Sequence, residues 1–369
     1  MLIALDDTLL HQTAEGMAHA GVSDHRFFDR TVFGMQSPSG DLALISSFGV
    51  YKNMNVMDGF AMIQKGARRQ FNHRFSRRLS SDPMTLRLGP LSIEHLEPLK
   101  SARLSLAPGG HPASYDIEWT AVLPPYEEPR HFLRLNGRVA RDHTRFNQFA
   151  KARGWIEVEG ERTEFDDWFA WRDHSWGVRP GVGGFEPFTG REEATKGFMG
   201  LYCWWLTDED GGFVQLQEEG DGHVLLTDGA ITFRDPDRPP VRVTRIEHDI
   251  RFHPGTRVFD AAAVRLTLEN GDSWLVEGQS IGRPWAYKGS GYDSGYNDEK
   301  GLGAWRGDWL EEYDIYDITD PEAVGLPDGR VIRPVHREQI AQVTVNGRPG
   351  HAHFPLINWG PLQRYGLGV

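Results

Sequence analysis

The stretch Ala263-Val-Arg-Leu-Thr-Leu-Glu-Asn-Gly-Asp-Ser-Trp-Leu-Val-Glu-Gly-Gln-Ser-Ile281 indicates the fold class. Apolar and polar residues alternate on both sides of Asn270-Gly271, which is typical of two strands that each bury one face. The Asn-Gly pair favours a tight turn whose two central residues adopt left-handed backbone angles. The segment therefore predicts an antiparallel hairpin.

Similar alternation recurs along the chain, at residues 42–48, 102–106, 115–123, 154–160, 212–220 and 241–252. The 369 residues include 42 Gly and 22 Pro, which argue against a helix bundle because both residues break helices. Strands at this spacing are typical of all-β sandwiches or barrels. We expect only short helices, within residues 4–20 and 141–152. The chain length predicts two domains, which we place at residues 1–165 and 166–369.

Charge and cysteine content exclude several classes of protein. Asp and Glu number 52 against 40 Lys and Arg, and this acidic balance is unsuited to generic nucleic-acid binding. Cys203 is the single cysteine, so an intrachain disulfide or a multi-cysteine metal site cannot form. The first residues lack the basic start and apolar run of a signal peptide, and no stretch has the apolar length of a membrane span. We expect a cytoplasmic monomer or homodimer without a membrane span.

The densest group of ionisable and aromatic side chains lies in Glu164-Phe-Asp-Asp-Trp-Phe-Ala-Trp-Arg-Asp-His-Ser-Trp-Gly-Val-Arg179. A carboxyl surrounded by indoles is desolvated, which raises its pKa and lets it donate a proton near neutral pH. On a strand, one face would carry Trp171, Asp173 and Ser175. The opposite face would carry Arg172, His174 and Trp176. The alternative is a structural ion pair of Asp173 with Arg172 or Arg179.

The segment Trp171-Arg-Asp-His-Ser-Trp-Gly-Val-Arg179 resembles the W-x-D-x-x-W-G signature of the lipocalin-like hydroxyneurosporene synthase (carotenoid 1,2-hydratase) and AttH-like superfamily. Residues 154–160 and 357–361 resemble flanking strands of such proteins, although only the central motif is specific. The resemblance implies two tandem calycin-type antiparallel β-barrels or half-barrels that enclose a ligand. It also implies that Asp173 is a proton donor. The pair His174-Ser175 adds a second titratable group beside it.

These observations lead to a functional hypothesis of a cofactor-independent acid–base enzyme. It would be a lyase (hydratase or dehydratase) or an isomerase or cyclase, and it would act on a hydrophobic, isoprenoid-like small molecule through a carbocation-like state. The candidate catalytic residues are Asp173, His174 and Asp167. The candidate substrate-binding residues are Trp171, Trp176, Arg179, Trp205, Tyr202, Tyr287 and Trp305.

Two alternatives stay open, a non-catalytic carrier of hydrophobic ligands and a structural or interaction protein. A carrier has little use for buried ionisable groups, so a cavity-facing Asp173 with a raised pKa would favour the enzyme. The pair His351 and His353 would share one strand face, an arrangement that a metal could use. No third ligand is obvious nearby in sequence, so we predict no metal site. His25, His73 and His95 are scattered, and we expect structural or surface roles for them.

Overall fold

The computed structural model describes residues 2, 4–7, 9–12, 14–79, 85–135, 137–184, 196–288, 290, 292, 296, 298 and 300–368. Over these residues the fold is almost entirely antiparallel β-structure, which confirms the all-β prediction. Short 3₁₀ helices occur at Ala4–Asp7, Lys52–Met54 and Gln363–Tyr365. No helix in the described part of the chain has the length and apolarity needed to cross a membrane.

The first twelve strands belong to one large curved sheet. They are β1 (Phe27–Gln36), β2 (Leu42–Tyr51), β3 (Val56–Lys65), β4 (Arg69–Arg78), β5 (Arg87–Leu88), β6 (Leu91–Glu97), β7 (Ser101–Leu106), β8 (Ala113–Ala121), β9 (Tyr126–Glu127), β10 (His131–Leu135), β11 (Arg138–Val158) and β12 (Glu161–Val178). The sheet curls until β5 contacts β3 and β4. It encloses an apolar core that includes Phe33, Phe75 and Trp119.

The second part of the chain forms a closed eight-stranded barrel around its own apolar core. Its first six strands are β13 (Phe198–Thr207), β14 (Asp210–Glu219), β15 (Val224–Phe233), β16 (Val241–Phe252), β17 (Phe259–Leu268) and β18 (Ser273–Ser280). The chain then leaves the barrel and adds three strands to the large sheet through β4. They are β19 (Trp309–Asp317), β20 (Val324–Gly325) and β21 (Val331–Ile332). The barrel closes with β22 (His336–Val345) and β23 (Arg348–Trp359).

The division into two domains stays a prediction, and its expected position after residue 165 falls inside β12. That strand pairs with β1 on one side and β11 on the other, and both belong to the first sheet. The chain leaves this sheet only at Val178. The later return of β19 to β4 means that the large sheet also contains strands from the second part of the chain.

The expected hairpin at residues 263–281 is confirmed as β17 and β18. Its turn differs from the expected one, because Gly271 has a positive φ of 88° and Asn270 does not. The connection is a longer loop in which the Leu268 amide donates to the Asp272 carbonyl. The tight turn with two left-handed residues occurs instead at Asn346 and Gly347, with φ of 47° and 81°. The same dipeptide thus adopts different turns according to the pairing of its flanking strands.

The helix expected within residues 141–152 is wrong, because this segment lies in β11. Small and large apolar residues occur there at a spacing that also suits a helix, but the strand pairs along nearly its whole length with β12. Pairing on both edges buries Phe149, Ala150 and Ala152. Tertiary pairing therefore overrides local helix preference in this segment.

Candidate functional site

A cavity lies at the junction between the first sheet and the barrel. Its inner chamber, about 160 Å³ in volume, is bounded by Trp171 of β12, Trp204 of β13 and Tyr287 of the segment after β18. It adjoins a second space of about 400 Å³, and Arg145 and Arg179 line both. Aromatic walls with a few charged groups are the usual composition of a small-molecule site.

A larger depression of about 660 Å³ lies on the outer face of the barrel. It is lined by small and exposed side chains of β16, β17, β18 and β22, such as Ala263, Glu277 and Gln342. It has no aromatic lining and is open to solvent. We therefore place the candidate site at the junction between the two sheets.

The strand alternation predicted for β12 is confirmed by the structure. Trp171, Asp173 and Ser175 all line the inner chamber. Gly34 of β1 lies opposite Trp171, and a Cβ atom on Gly34 would come within 2.3 Å of the indole. The missing side chain therefore leaves the space in which the Trp171 ring lies over β1.

Asp173 is partly accessible because its carboxyl faces the cavity. Burial raises the pKa of this carboxyl above its usual range, although the nearby Arg145 opposes that effect. The carboxyl forms no hydrogen bond or ion pair with any residue that the structure describes. A carboxyl in this state can hold a proton at a higher pH than an exposed aspartate.

The structural ion pairs considered for Asp173 do not form. Arg172 lies on the opposite face of β12 and donates to the Oε1 atom of Gln148 at 2.7 Å and 3.0 Å. Arg179 donates to the hydroxyl of Tyr292 at 3.2 Å and lies over the ring of Phe28. Both arginines therefore have other contacts, and Asp173 faces the cavity.

Arg145 holds its position through a buried pair with Glu128. The guanidinium donates to both carboxylate oxygens, at 2.5 Å and 3.0 Å. Burial would raise the pKa of Glu128, but Arg145 and hydrogen bonds outweigh that effect and lower the pKa to about 2. Asn147 donates to the same carboxylate and accepts from the indole N–H of Trp204. The network thus connects the first sheet to the barrel beside the cavity.

Arg30 of β1 is almost fully buried and lines the chamber. Its Nη1 atom donates to the Tyr51 hydroxyl at 3.2 Å, whereas Nε and Nη2 have no partner among the described residues. Arg30 and Arg179 both lie over the ring of Tyr292. Burial would raise the pKa of Tyr292, but the two guanidinium groups outweigh it and lower the pKa below its usual value. Unpaired donors in a buried site favour a ligand with acceptor atoms.

A second polar group lies on the barrel side of the chamber. The Tyr287 hydroxyl donates to Glu338 at 2.6 Å, and the Nε2 atom of His353 lies 2.9 Å from the same carboxylate oxygen. Burial would raise the pKa of Glu338, but hydrogen bonds from His336 and His353 lower it to about 2. The His353 ring stacks on Trp171 with centroids 4.4 Å apart. Glu338 therefore orients Tyr287, which lines the chamber, and His353, which packs behind Trp171.

Two of the three candidate catalytic residues lie away from the chamber. His174 is on the opposite face of β12, where its Nε2 atom lies 2.7 Å from the Oδ1 atom of Asp29. Asp167 lies where β12 bends and has a positive φ of 61°. Its exposed carboxylate pairs with Lys151 at 2.9 Å. The structure thus places Asp173 in the cavity without His174 or Asp167.

The seven candidate substrate-binding residues also divide between two groups. The chamber wall includes Trp171, Arg179, Tyr202 and Tyr287. Trp205 points from the other face of β13 into the barrel core and is fully buried there. Trp176 and Trp305 are partly exposed, and Trp305 lies near Arg78. Alternation along β12 and β13 explains the placement of Trp176 and Trp205.

The sequence did not predict several residues that line the cavity, namely Arg30, Phe60, Arg145, His336 and Glu338. Arg145 lies in β11, the hairpin partner of β12, whereas the other four lie in β1, β3 and β22, which are distant in sequence and meet β12 only through sheet pairing and the packing of the barrel. His336 and Glu338 are two residues apart, so both lie on one face of a strand. This spacing is the feature of the sequence that could have identified these two residues. His353 was considered as a metal ligand, and the structure pairs it with Glu338.

The fold is all-β, with a closed eight-stranded antiparallel barrel, a large antiparallel sheet and an aromatic and charged cavity where they meet. The chain belongs to a family of unknown function, DUF8625, whose sequence profile matches residues 2–368. No curated protein sequence matches it.

Two solved structures align with most of the chain. An AttH-type protein from Nitrosomonas europaea aligns with a TM-score of 0.55 and 13% sequence identity, over 92% of this chain and 94% of that chain. Kievitone hydratase from Nectria haematococca aligns with a TM-score of 0.41 and 12% identity, over 92% of each chain. The first alignment shows a shared fold and confirms the expected likeness to the AttH-like proteins at that level.

Proposed function

We propose that the protein is a cofactor-independent acid–base enzyme that acts on a hydrophobic small molecule in the junction cavity, with Asp173 as the proton donor. The observation that carries this proposal is the Asp173 carboxyl, which faces an aromatic chamber without a hydrogen-bond partner among the described residues. Burial raises the pKa of the carboxyl, so a larger fraction is protonated near neutral pH. The resemblance of residues 171–179 to the hydratase signature assigns the same role to this position.

The proposed reaction begins with transfer of the Asp173 proton to the substrate. In a hydration, the alkene electron pair forms the new C–H bond, water adds to the adjacent carbon, and its proton returns to the carboxylate. In a dehydration, the carboxyl protonates the leaving hydroxyl, which departs as water. The C–H bond on the adjacent carbon then breaks, its electron pair forms the double bond, and its proton returns to the carboxylate. Isomerisation or cyclisation would use the same first proton transfer and return the proton from another carbon.

The charges of the chamber narrow the substrate class. Arg30, Arg145 and Arg179 line the same space as Asp173, and their positive charges oppose a free carbocation. Their guanidinium groups would instead donate hydrogen bonds to oxygen substituents of the substrate and so hold it beside Asp173. We therefore favour an unsaturated molecule with an apolar body and oxygen substituents. An oxygenated isoprenoid meets this description, whereas a plain hydrocarbon would leave the donors of Arg30 unpaired.

Solvent deuterium tests the proposed reactions in which Asp173 protonates a carbon, which are hydration, isomerisation, cyclisation and the reverse of a dehydration. Wild-type protein and D173N are incubated in deuterium oxide with geraniol and with a hydroxychalcone, and mass spectrometry measures deuterium at carbon. Displacement of 1-anilinonaphthalene-8-sulfonate measures binding in parallel. The proposal expects incorporation with wild-type protein and binding without incorporation with D173N. Binding by both proteins without incorporation would favour the carrier, and incorporation by D173N would exclude Asp173 as the donor.

A further inference from the structure

A group of three side chains that does not line the junction cavity meets where β4 and β19 pair. His73 lies in β4, Glu311 in β19, and His111 in the connection between β7 and β8. One nitrogen of each imidazole and one oxygen of Glu311 all lie within 4.8 Å of one another. The ring centroids of His73 and His111 are 3.9 Å apart.

The two imidazoles are buried without enough hydrogen-bond partners. His73 is only 4% exposed, and its Nδ1 atom has no partner among the described residues. His111 is also buried, and at least one of its ring nitrogens is unpartnered over the same part of the chain. An unsatisfied buried nitrogen destabilises the folded state by about 1–3 kcal/mol relative to a paired one. A ligand that accepts an electron pair from His111 would remove this penalty there, whereas at His73 it would replace the contact between Nε2 and Glu311.

The charge around the three side chains suits a cation. A space of about 10 Å³ beside the two imidazoles is lined by His73, His111 and Tyr313 but not by Glu311, and it is about the size needed for one water. The nearest arginine, Arg74, is paired with Glu312 at 2.9 Å and with Asp314 at 2.6 Å. Its charge is therefore balanced by carboxylates other than Glu311.

We propose that His73, His111 and Glu311 bind a divalent transition-metal ion, with zinc as the best match. Two imidazole nitrogens and one carboxylate oxygen form a known zinc ligand set, and a water can complete the tetrahedron. The 3.0 Å separation between the Nε2 atom of His73 and the Oε1 atom of Glu311 is close to the roughly 3.3 Å between adjacent ligands of tetrahedral zinc. Calcium and magnesium fit poorly because they prefer oxygen ligands.

The ion would hold together three segments that are distant in sequence. β19 comes from the excursion between barrel strands β18 and β22 and pairs with β4. His111 adds the connection after β7 to the same point. The role is structural, and it is independent of the proposed chemistry at Asp173 because no ligand residue lines the junction cavity.

The test uses the full-length protein, stripped with a chelator, incubated with zinc and separated by gel filtration. Elemental analysis is expected to find one zinc ion per wild-type chain, and zinc is expected to raise the Tm. Cobalt in place of zinc should give the visible spectrum of a tetrahedral site. The variant H111A and the conservative variant E311Q should each bind zinc at least about tenfold more weakly. H223A, which changes an exposed turn residue, is the control and should behave as wild type.

Two results would overturn the proposal. One is wild-type protein that retains no stoichiometric zinc after gel filtration, because a buried water would then suffice to satisfy the imidazoles. The other is equal zinc content in H111A, E311Q and H223A, which would place the metal elsewhere. E311Q keeps a hydrogen-bonding amide at a partly exposed position, so it tests the site even if H111A fails to fold.

Discussion

Trp171 and His353 stack with their ring centroids 4.4 Å apart and their planes inclined by 21°. Trp171 belongs to the first sheet and lines the chamber, and His353 belongs to the barrel, so this contact supports the cavity wall from across the junction. Glu338 orients His353 from the barrel side, while the absent side chain of Gly34 admits the indole from the other. The chamber therefore depends on both sheets, and substitutions on either side should affect it differently.

The variant D173N should lose turnover while its fold stays intact. The native pKa of Asp173 is raised above its unfolded value, so the stability that this carboxyl contributes is complete below about pH 3.8 and is lost as the pH rises through the native pKa. At pH 7 the variant should therefore be at least as stable as wild type. Thermal unfolding at several pH values checks this expectation. Equal losses of Tm and activity would instead indicate a structural aspartate.

Replacement of Arg30 by methionine should change binding more than stability. Two of its guanidinium nitrogens have no partner among the described residues, so R30M should alter the free energy of unfolding by less than about 1 kcal/mol. Affinity for an oxygenated ligand should fall at least about tenfold, which corresponds to the loss of one charged hydrogen bond. The matched variant R145M leaves the Glu128 carboxylate buried without its cation. It should lower the free energy of unfolding by about 3 kcal/mol. Similar stability losses in the two variants would contradict this distinction.

Glu128 should make the junction sensitive to acid. Its native pKa of about 2 lies below the ordinary value of 4.5, so its contribution to stability is complete above pH 4.5 and disappears as the pH falls towards 2. E128Q should be less stable than wild type by about 3 kcal/mol at pH 7. Chemical denaturation across this pH range should show the two proteins converging at low pH. A difference in unfolding free energy between the two proteins that stays constant across the pH range would mean that Glu128 does not titrate as the structure implies.

Alanine at Gly34 should disturb the cavity by overpacking. The alanine Cβ would lie 2.3 Å from the Trp171 ring, so the indole must move. This overpacking should lower the free energy of unfolding by about 1–3 kcal/mol. G278A is the matched control in a barrel strand, because the nearest atoms to its Cβ are 3.7 Å away. Tryptophan fluorescence and Tm should change in G34A and remain near wild type in G278A. An unchanged emission spectrum in G34A would show that Trp171 is not confined by β1.

The sequence was a good guide to strands and a poor guide to the segment 141–152. Alternation reports which face of a strand is buried, and it correctly separated Trp171 and Asp173 from Arg172 and His174. In β11, however, the spacing of apolar residues fits a helix as well as a strand. Only the long pairing with β12 and β8 decides between them.

By itself, the sequence determined the all-β class and the face of β12 that carries Asp173, because both follow from a local period of two. The tertiary structure decided which groups surround that carboxyl. Arg30, Arg145 and Glu338 come from three other strands, and no local pattern relates their positions to residue 173. It also brought His73, His111 and Glu311 together across more than half of the chain, because β19 leaves the barrel and pairs with β4. Register and sheet order are long-range properties, and they determine the chemistry of both sites.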